Sequence, residues 1–173
     1  MVLLAGSLLG DATTPRVVKE SAFSVVGIAV RTNNAREMTG QGMIPQQWQK
    51  FFQQGILEQI PNKVDPTIFA LYTNYASDRN GDYDFVIGAK VSKVSTLPPG
   101  MVAKTVPAGN YAILTSAKGP AAKVVPEAWQ RIWVLEDKAQ LGGTRAYRAD
   151  YEVYDQRSQN PQDSEVDIYV GIK

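Results

Sequence analysis

The segment IPQQWQKFF, residues 44–52, returns 81 residues later as VPEAWQRIW, residues 125–133. Pro45 matches Pro126, Trp48 matches Trp129, Gln49 matches Gln130, Lys50 matches Arg131 and Phe52 matches Trp133. A proline at the first helical position, followed by apolar residues at steps of three and four, describes an amphipathic helix whose aromatic side chains share one stripe. Two such helices in a chain of 173 residues indicate that one unit has been written twice.

Two further matches extend the duplication. DYDFVIGA, residues 82–89, is echoed by EVDIYVGI, residues 165–172, an offset of 83 that aligns Asp84 with Asp167 and Gly88 with Gly171. LYTNY, residues 71–75, is echoed by DYEVY, residues 150–154, an offset of 79 that aligns Tyr72 with Tyr151 and Tyr75 with Tyr154. Each unit reads strand, helix, strand, strand. In the first, FSVVGIAVR is a strand, Ile44 to about Ile60 a helix, and Thr67–Tyr75 with Tyr83–Val91 a hairpin turned at Asn80-Gly81. In the second, Met101–Val106 and Tyr111–Ser116 lead around a turn at 107–110. Pro126 to about Lys138 is the helix, and Arg145–Asp155 with Val166–Ile172 close the unit. The expected fold class is α+β: duplicated strand-helix-strand-strand units forming a curved antiparallel sheet, with two main helices that make a ligand groove. An arm over residues 1–15 precedes a single domain over 16–173, whose pseudo-repeats run from about 20 to 97 and from 101 to 173, with the seam at Leu97-Pro98-Pro99-Gly100.

Composition removes whole classes of chemistry. The chain has no cysteine and no histidine, so thiolate metal sites, disulfides, a histidine base, a Ser-His-Asp triad and a histidine haem ligand are all excluded. Lys and Arg total 18 against 17 acids, with no basic cluster, so direct nucleic-acid binding is not expected. The apolar opening MVLLAGSLLG is too short to span a bilayer and lacks a basic flank. A cytoplasmic protein without a membrane segment, metal or cofactor is the expectation.

Strand alternation assigns faces. Arg148, Asp150, Glu152 and Tyr154 share one face, opposite Tyr147, Ala149, Tyr151 and Val153. Val166, Ile168, Val170 and Ile172 should pack on the helices, leaving Glu165, Asp167, Tyr169 and Gly171 opposite. Phe69, Leu71, Thr73 and Tyr75 occupy the positions equivalent to the first set, so aromatic groups on one wall would face carboxylates on the other. Such a groove suits a cation with an apolar body. Against this, a glutamate on the polar face of a strand is usually solvated, and tryptophans at helical spacing are usually core.

The duplicated plan, the PAGNY turn at 107–111, the YEVYD strand at 151–155 and the closing VDIYVGI at 166–172 together resemble the GyrI-like effector-binding domains. These are the ligand modules of AraC-type and BmrR-type transcription regulators and also occur alone; the resemblance covers about residues 16–173. It implies a single effector-binding domain, here in stand-alone form, that binds bulky lipophilic cations such as drugs. It places Glu152 at the family's buried acidic position, with Asp167 and Tyr169 beside it. Tyr154, Tyr169, Tyr75 and Phe69 would line the groove, and Trp48, Trp129 and Trp133 would close it from the helices. The reading is a non-enzymatic sensor or sequestering protein for lipophilic, cationic small molecules, with a transcription regulator or another protein as a further partner. Two alternatives stay open: a protein-binding inhibitor or adaptor of the gyrase-inhibitor type, and a carboxylate-dependent small-molecule hydrolase.

Overall fold

The computed structural model describes residues 14–173; of the expected N-terminal arm, residues 1–13 lie outside the described residues. Eight strands form one antiparallel sheet: β1 (Arg16–Glu20), β2 (Phe23–Thr32), β3 (Ile68–Thr73), β4 (Tyr83–Val91), β5 (Val102–Val106), β6 (Gly109–Thr115), β7 (Arg145–Tyr154) and β8 (Asp167–Ile172). The helices are α1 (Asn34–Glu37), α2 (Ile44–Gln53), α3 (Ile56–Gln59) and α4 (Ala121–Asp137). The fold is α+β, as the sequence indicates.

Strand order is β1-β6-β8-β7-β3-β4-β2-β5. The centre is the β3·β7 pair, from which β4 and β2 run outward on one side and β8 and β6 on the other, so the two halves mirror each other's order. The outermost strands are exchanged. β5, which precedes β6 in sequence, pairs with β2, and β1, which precedes β2, pairs with β6. The sequence alone places Met101–Val106 with Tyr111–Ser116 in one half, because strands joined by a tight turn usually pair.

That exchange forces the sheet to curl. β5 and β6 are six strand spacings apart, about 29 Å on a flat sheet, yet only Pro107 and Ala108 join them, a link that reaches at most about 11 Å. On the inner side of the curl, Phe23 of β2 meets Tyr151 of β7 at 5.4 Å between ring centres. Val25, Leu71, Val86, Val106, Tyr111, Ala149 and Tyr151 are buried there without a helix to cover them. The outer face carries the helices: α2 and α3 over Val26, Ile28, Phe85 and Ile87, and α4 over Leu114, Ile168 and Val170.

Glycines allow the bend. Gly27 and Gly88 face each other across β2 and β4. A Cβ on Gly27 would sit 2.0 Å from the Ile87 carbonyl oxygen, and one on Gly88 would sit 2.0 Å from that of Val26. The expected single helix from Ile44 to Ile60 is broken at Gly55, whose φ of 58° is left-handed, before α3 resumes. The second helix begins earlier than expected, at Ala121, with Pro126 inside it. Pro126, the sixth residue of the helix, has no amide to serve the Ala122 carbonyl.

Candidate functional site: an aromatic cavity around a buried carboxylate

The two halves meet over β3 and β7, and there α2 and α4 stand apart. The space between them is a cavity of about 690 Å³, large enough for a drug-sized molecule. Ile44, Pro45, Trp48 and Phe52 form the α2 wall, and the matching Val125, Pro126, Trp129 and Trp133 form the α4 wall. The floor is Tyr72, Glu152 and Tyr154 from the central strands, with Tyr75 just beyond the end of β3.

Glu152 is 2% exposed. Three groups donate to its carboxylate: Tyr72 Oη to Oε2 at 2.6 Å, Tyr154 Oη to Oε1 at 2.6 Å, and Trp129 Nε1 to Oε2 at 2.8 Å. All three donors are neutral, and none of the ion pairs among the described residues includes Glu152. Burial pushes its pKa above the usual carboxylate value, and the three donors pull it back only in part. Tyr72 and Tyr154 are themselves held well above an ordinary tyrosine pKa, by burial first and the Glu152 charge next, so both remain donors.

Asp150, two residues earlier on the same face, is fully buried and neutralised. Arg145 Nη2 donates to its Oδ2 at 2.5 Å, Tyr75 Oη to the same oxygen at 2.5 Å, and the Gly171 amide to Oδ1 at 2.8 Å. Burial would lower the Arg145 pKa, but Asp150, Tyr75, Tyr147 and Glu136 drive it up, so the guanidinium stays charged. Arg145 also pairs with Glu136 of α4 at 3.3 Å. The two carboxylates thus differ: Asp150 is held by a matched cation and by donors from both halves, while Glu152 faces the cavity with no ion-pair partner. Arg79, in the β3–β4 loop and part of the cavity lining, reaches Asp137 of α4 at 2.9 Å.

Of the residues singled out from sequence, Glu152, Tyr154, Tyr75, Trp48, Trp129 and Trp133 line this cavity. Asp167, Tyr169 and Phe69 do not. Tyr169 stacks on Tyr151 at 4.6 Å and Phe69 packs beside them at the inner face. Asp167 accepts from Thr115 Oγ1 and Arg157. The register explains the correction: Ala70 lies opposite Glu152 and Tyr72 opposite Asp150, so Phe69 and Leu71 point the other way with Val153 and Tyr151. Tyr75 returns to the cavity only because Asn74, at φ 52°, breaks the alternation. Tyr147, expected opposite Asp150, is turned to the helix side by its own φ of 50° and the register shift between Arg145 and Asp150, and it meets Tyr75 at 5.5 Å. The sequence assigns no site role to Tyr72 or Arg145, and names Asp150 only as an acid on the Glu152 face. The signal for Tyr72 lay in the offsets: between a helix at 81 and a last strand at 83, the intervening strand should shift by 82, which pairs Tyr72 with Tyr154 rather than Tyr151.

The family model for Cass2, the integron-associated effector binding protein, matches residues 16–172. YobU of Bacillus subtilis (strain 168), provisionally named a transcriptional regulator, is 38% identical over 148 residues, covering 85% of this chain and 90% of YobU. The transcriptional regulator BrlR of Pseudomonas aeruginosa is 34% identical over 159 residues; the match takes in 91% of this chain but only 54% of BrlR. Among solved structures, the Vibrio cholerae integron cassette protein VCH_CASS2 superposes with a TM-score of 0.74 at 27% identity, over 93% of this chain and 97% of that one. SAV2435, solved with tetraphenylphosphonium bound, superposes with a TM-score of 0.75 at 15% identity, over 92% of this chain and 93% of its own. The family description is of an effector-binding protein, and the names of YobU and BrlR are those of transcriptional regulators.

Proposed function

The chain belongs to the family of integron-associated effector-binding proteins, and from that premise we propose that its effector is a lipophilic cation seated in the aromatic cavity against Glu152. One observation carries the reading: a carboxylate removed from water, served by neutral donors only, at the floor of an aromatic cavity. An ion held this way costs free energy while the cavity is empty. An entering cation offsets that cost, and each ring it touches adds about 0.5 to 2 kcal/mol. Flat aromatic walls and a single buried carboxylate without an ion-pair partner select by sign and apolar character, which favours a range of ligands over a single outline. Tetraphenylphosphonium on SAV2435, a protein of this fold, is in keeping with such a ligand class. Binding without chemical turnover, in the cytoplasm, completes the proposal. Among the described residues no helix is long and apolar enough to cross a membrane.

Titration with tetraphenylphosphonium, followed by quenching of tryptophan fluorescence, tests the proposal. Binding should weaken by about 30-fold or more, ~2 kcal/mol, in Glu152→Gln. Unchanged affinity in a variant with native near-UV circular dichroism would sink it. A carboxylate-dependent hydrolase is the second reading, favoured by the raised pKa of Glu152 beside two tyrosines. Steady turnover of a strained small electrophile, lost in Glu152→Gln, would promote it over binding alone.

A further inference from the structure

Resting on the reading of the cavity as a cation site, we propose that it is shaped for a ligand with its charge at the centre and an aromatic arm on either side. The ground is a local twofold axis that passes through the site. Ala70 and Glu152 face each other on β3 and β7, and Tyr72 and Tyr154 stand two residues beyond them, one on each strand. Tyr154 takes Oε1 and Tyr72 takes Oε2 at the same 2.6 Å. Over each tyrosine lies the tryptophan of the other half. Trp48 meets Tyr154 edge-on at 4.9 Å and 69°, and Trp129 meets Tyr72 edge-on at 5.1 Å and 65°. Two contacts between equivalent residues, with nearly equal distance and angle, show that the symmetry extends into the side chains. The charge breaks it, through Ala70 in place of a second glutamate and through the Trp129 hydrogen bond that Trp48 does not share, and so do Trp133 in the place of Phe52 and Arg145 over the Trp129 ring at 5.9 Å.

The chemical consequence concerns where a ligand carries its charge. The carboxylate lies on the axis, and the aromatic walls, Trp48 with Phe52 and Trp129 with Trp133, lie on opposite sides of it. A cation seated at Glu152 therefore has an aromatic surface to its left and right. A central cation with two arms covers both walls. A cation with one arm covers either wall, in two orientations related by the axis, and leaves the other wall wet.

Two quaternary ammonium probes test this, one with two naphthylmethyl arms and two methyl groups, the other with one naphthylmethyl arm and three methyl groups. Phe52→Ala and Trp133→Ala are the variants, because these equivalent positions flank the cavity without bonding to Glu152; Phe52→Leu and Trp133→Leu serve as a milder second set. For the two-armed probe each single variant should lower affinity by about fivefold, and the double variant by roughly the product. For the one-armed probe either single variant should lower affinity by no more than about twofold, the loss of one of two equal orientations. The double variant should then lose the remainder. The proposal is overturned if one wall is silent for the two-armed probe, or if the one-armed probe loses its affinity through a single wall. Failure of both naphthyl probes while tetraphenylphosphonium binds also overturns it and leaves the cation reading intact. Failure of all three removes the cation reading itself.

Discussion

Burial raises the Glu152 pKa, and hydrogen bonds from Tyr154, Tyr72 and Trp129 lower it part of the way back. Its folded value therefore lies above its unfolded value, and the empty protein holds an extra proton between the two. Stability of the empty protein should fall as pH rises through that interval, and Glu152→Gln, which cannot ionise, should flatten this slope in urea melts at a series of pH values. Ligand affinity has the opposite sign. A cation prefers the ionised acid, so affinity should weaken as pH drops toward the raised value, with proton uptake on ligand release measurable by calorimetry in two buffers. Tyr154→Phe removes a donor to the charged form, so the midpoint of that affinity profile should move to higher pH. Asp150 obeys different rules. Asp150→Ala takes from Arg145, 4% exposed, its nearest counter-charge and leaves it Glu136 at 3.3 Å, and should cost about 3 kcal/mol in a urea melt, whereas Glu152→Gln takes no partner from a cation.

The elements place these residues through a few departures from regularity. Helices and strands were legible because Pro, aromatic spacing and β-branched runs mark them locally, and Glu152 stood out as a carboxylate in an aromatic strand. Faces were harder. Alternation holds only while every residue is extended, and left-handed Asn74 and Tyr147 reverse it at the two positions that bring Tyr75 and Tyr147 to Asp150 and Glu136. Neither residue announces its conformation in sequence, since asparagine adopts it only sometimes and tyrosine rarely. The Gly27·Gly88 pair is the most exacting element. Gly88→Ala places a methyl group 2.0 Å from a backbone oxygen, so it should cost about 3 kcal/mol or prevent folding, as a thermal melt would show. Gly55→Ala meets no close backbone atom and pays only for its left-handed φ, about 1–2 kcal/mol.

At the scale of the molecule, the exchange of β1 and β5 was invisible in the sequence, because pairing over long separations leaves no local mark. It determines how the halves hold together. Removing residues 1–20 takes away the strand that covers the outer edge of β6, exposing a row of unpaired amides and carbonyls. The truncated protein should self-associate, visible as larger species in gel filtration, even with the aromatic cavity untouched. The pairing of Ala70 with Glu152 has a last consequence. Two identical chains joined about the same axis would bring either two carboxylates or two methyl groups to its centre. The first arrangement sets like charges side by side away from water, and the second offers a positive guest nothing to neutralise. Writing both copies into one polypeptide lets position 70 stay small while position 152 carries the charge, a division of labour that a true homodimer is denied.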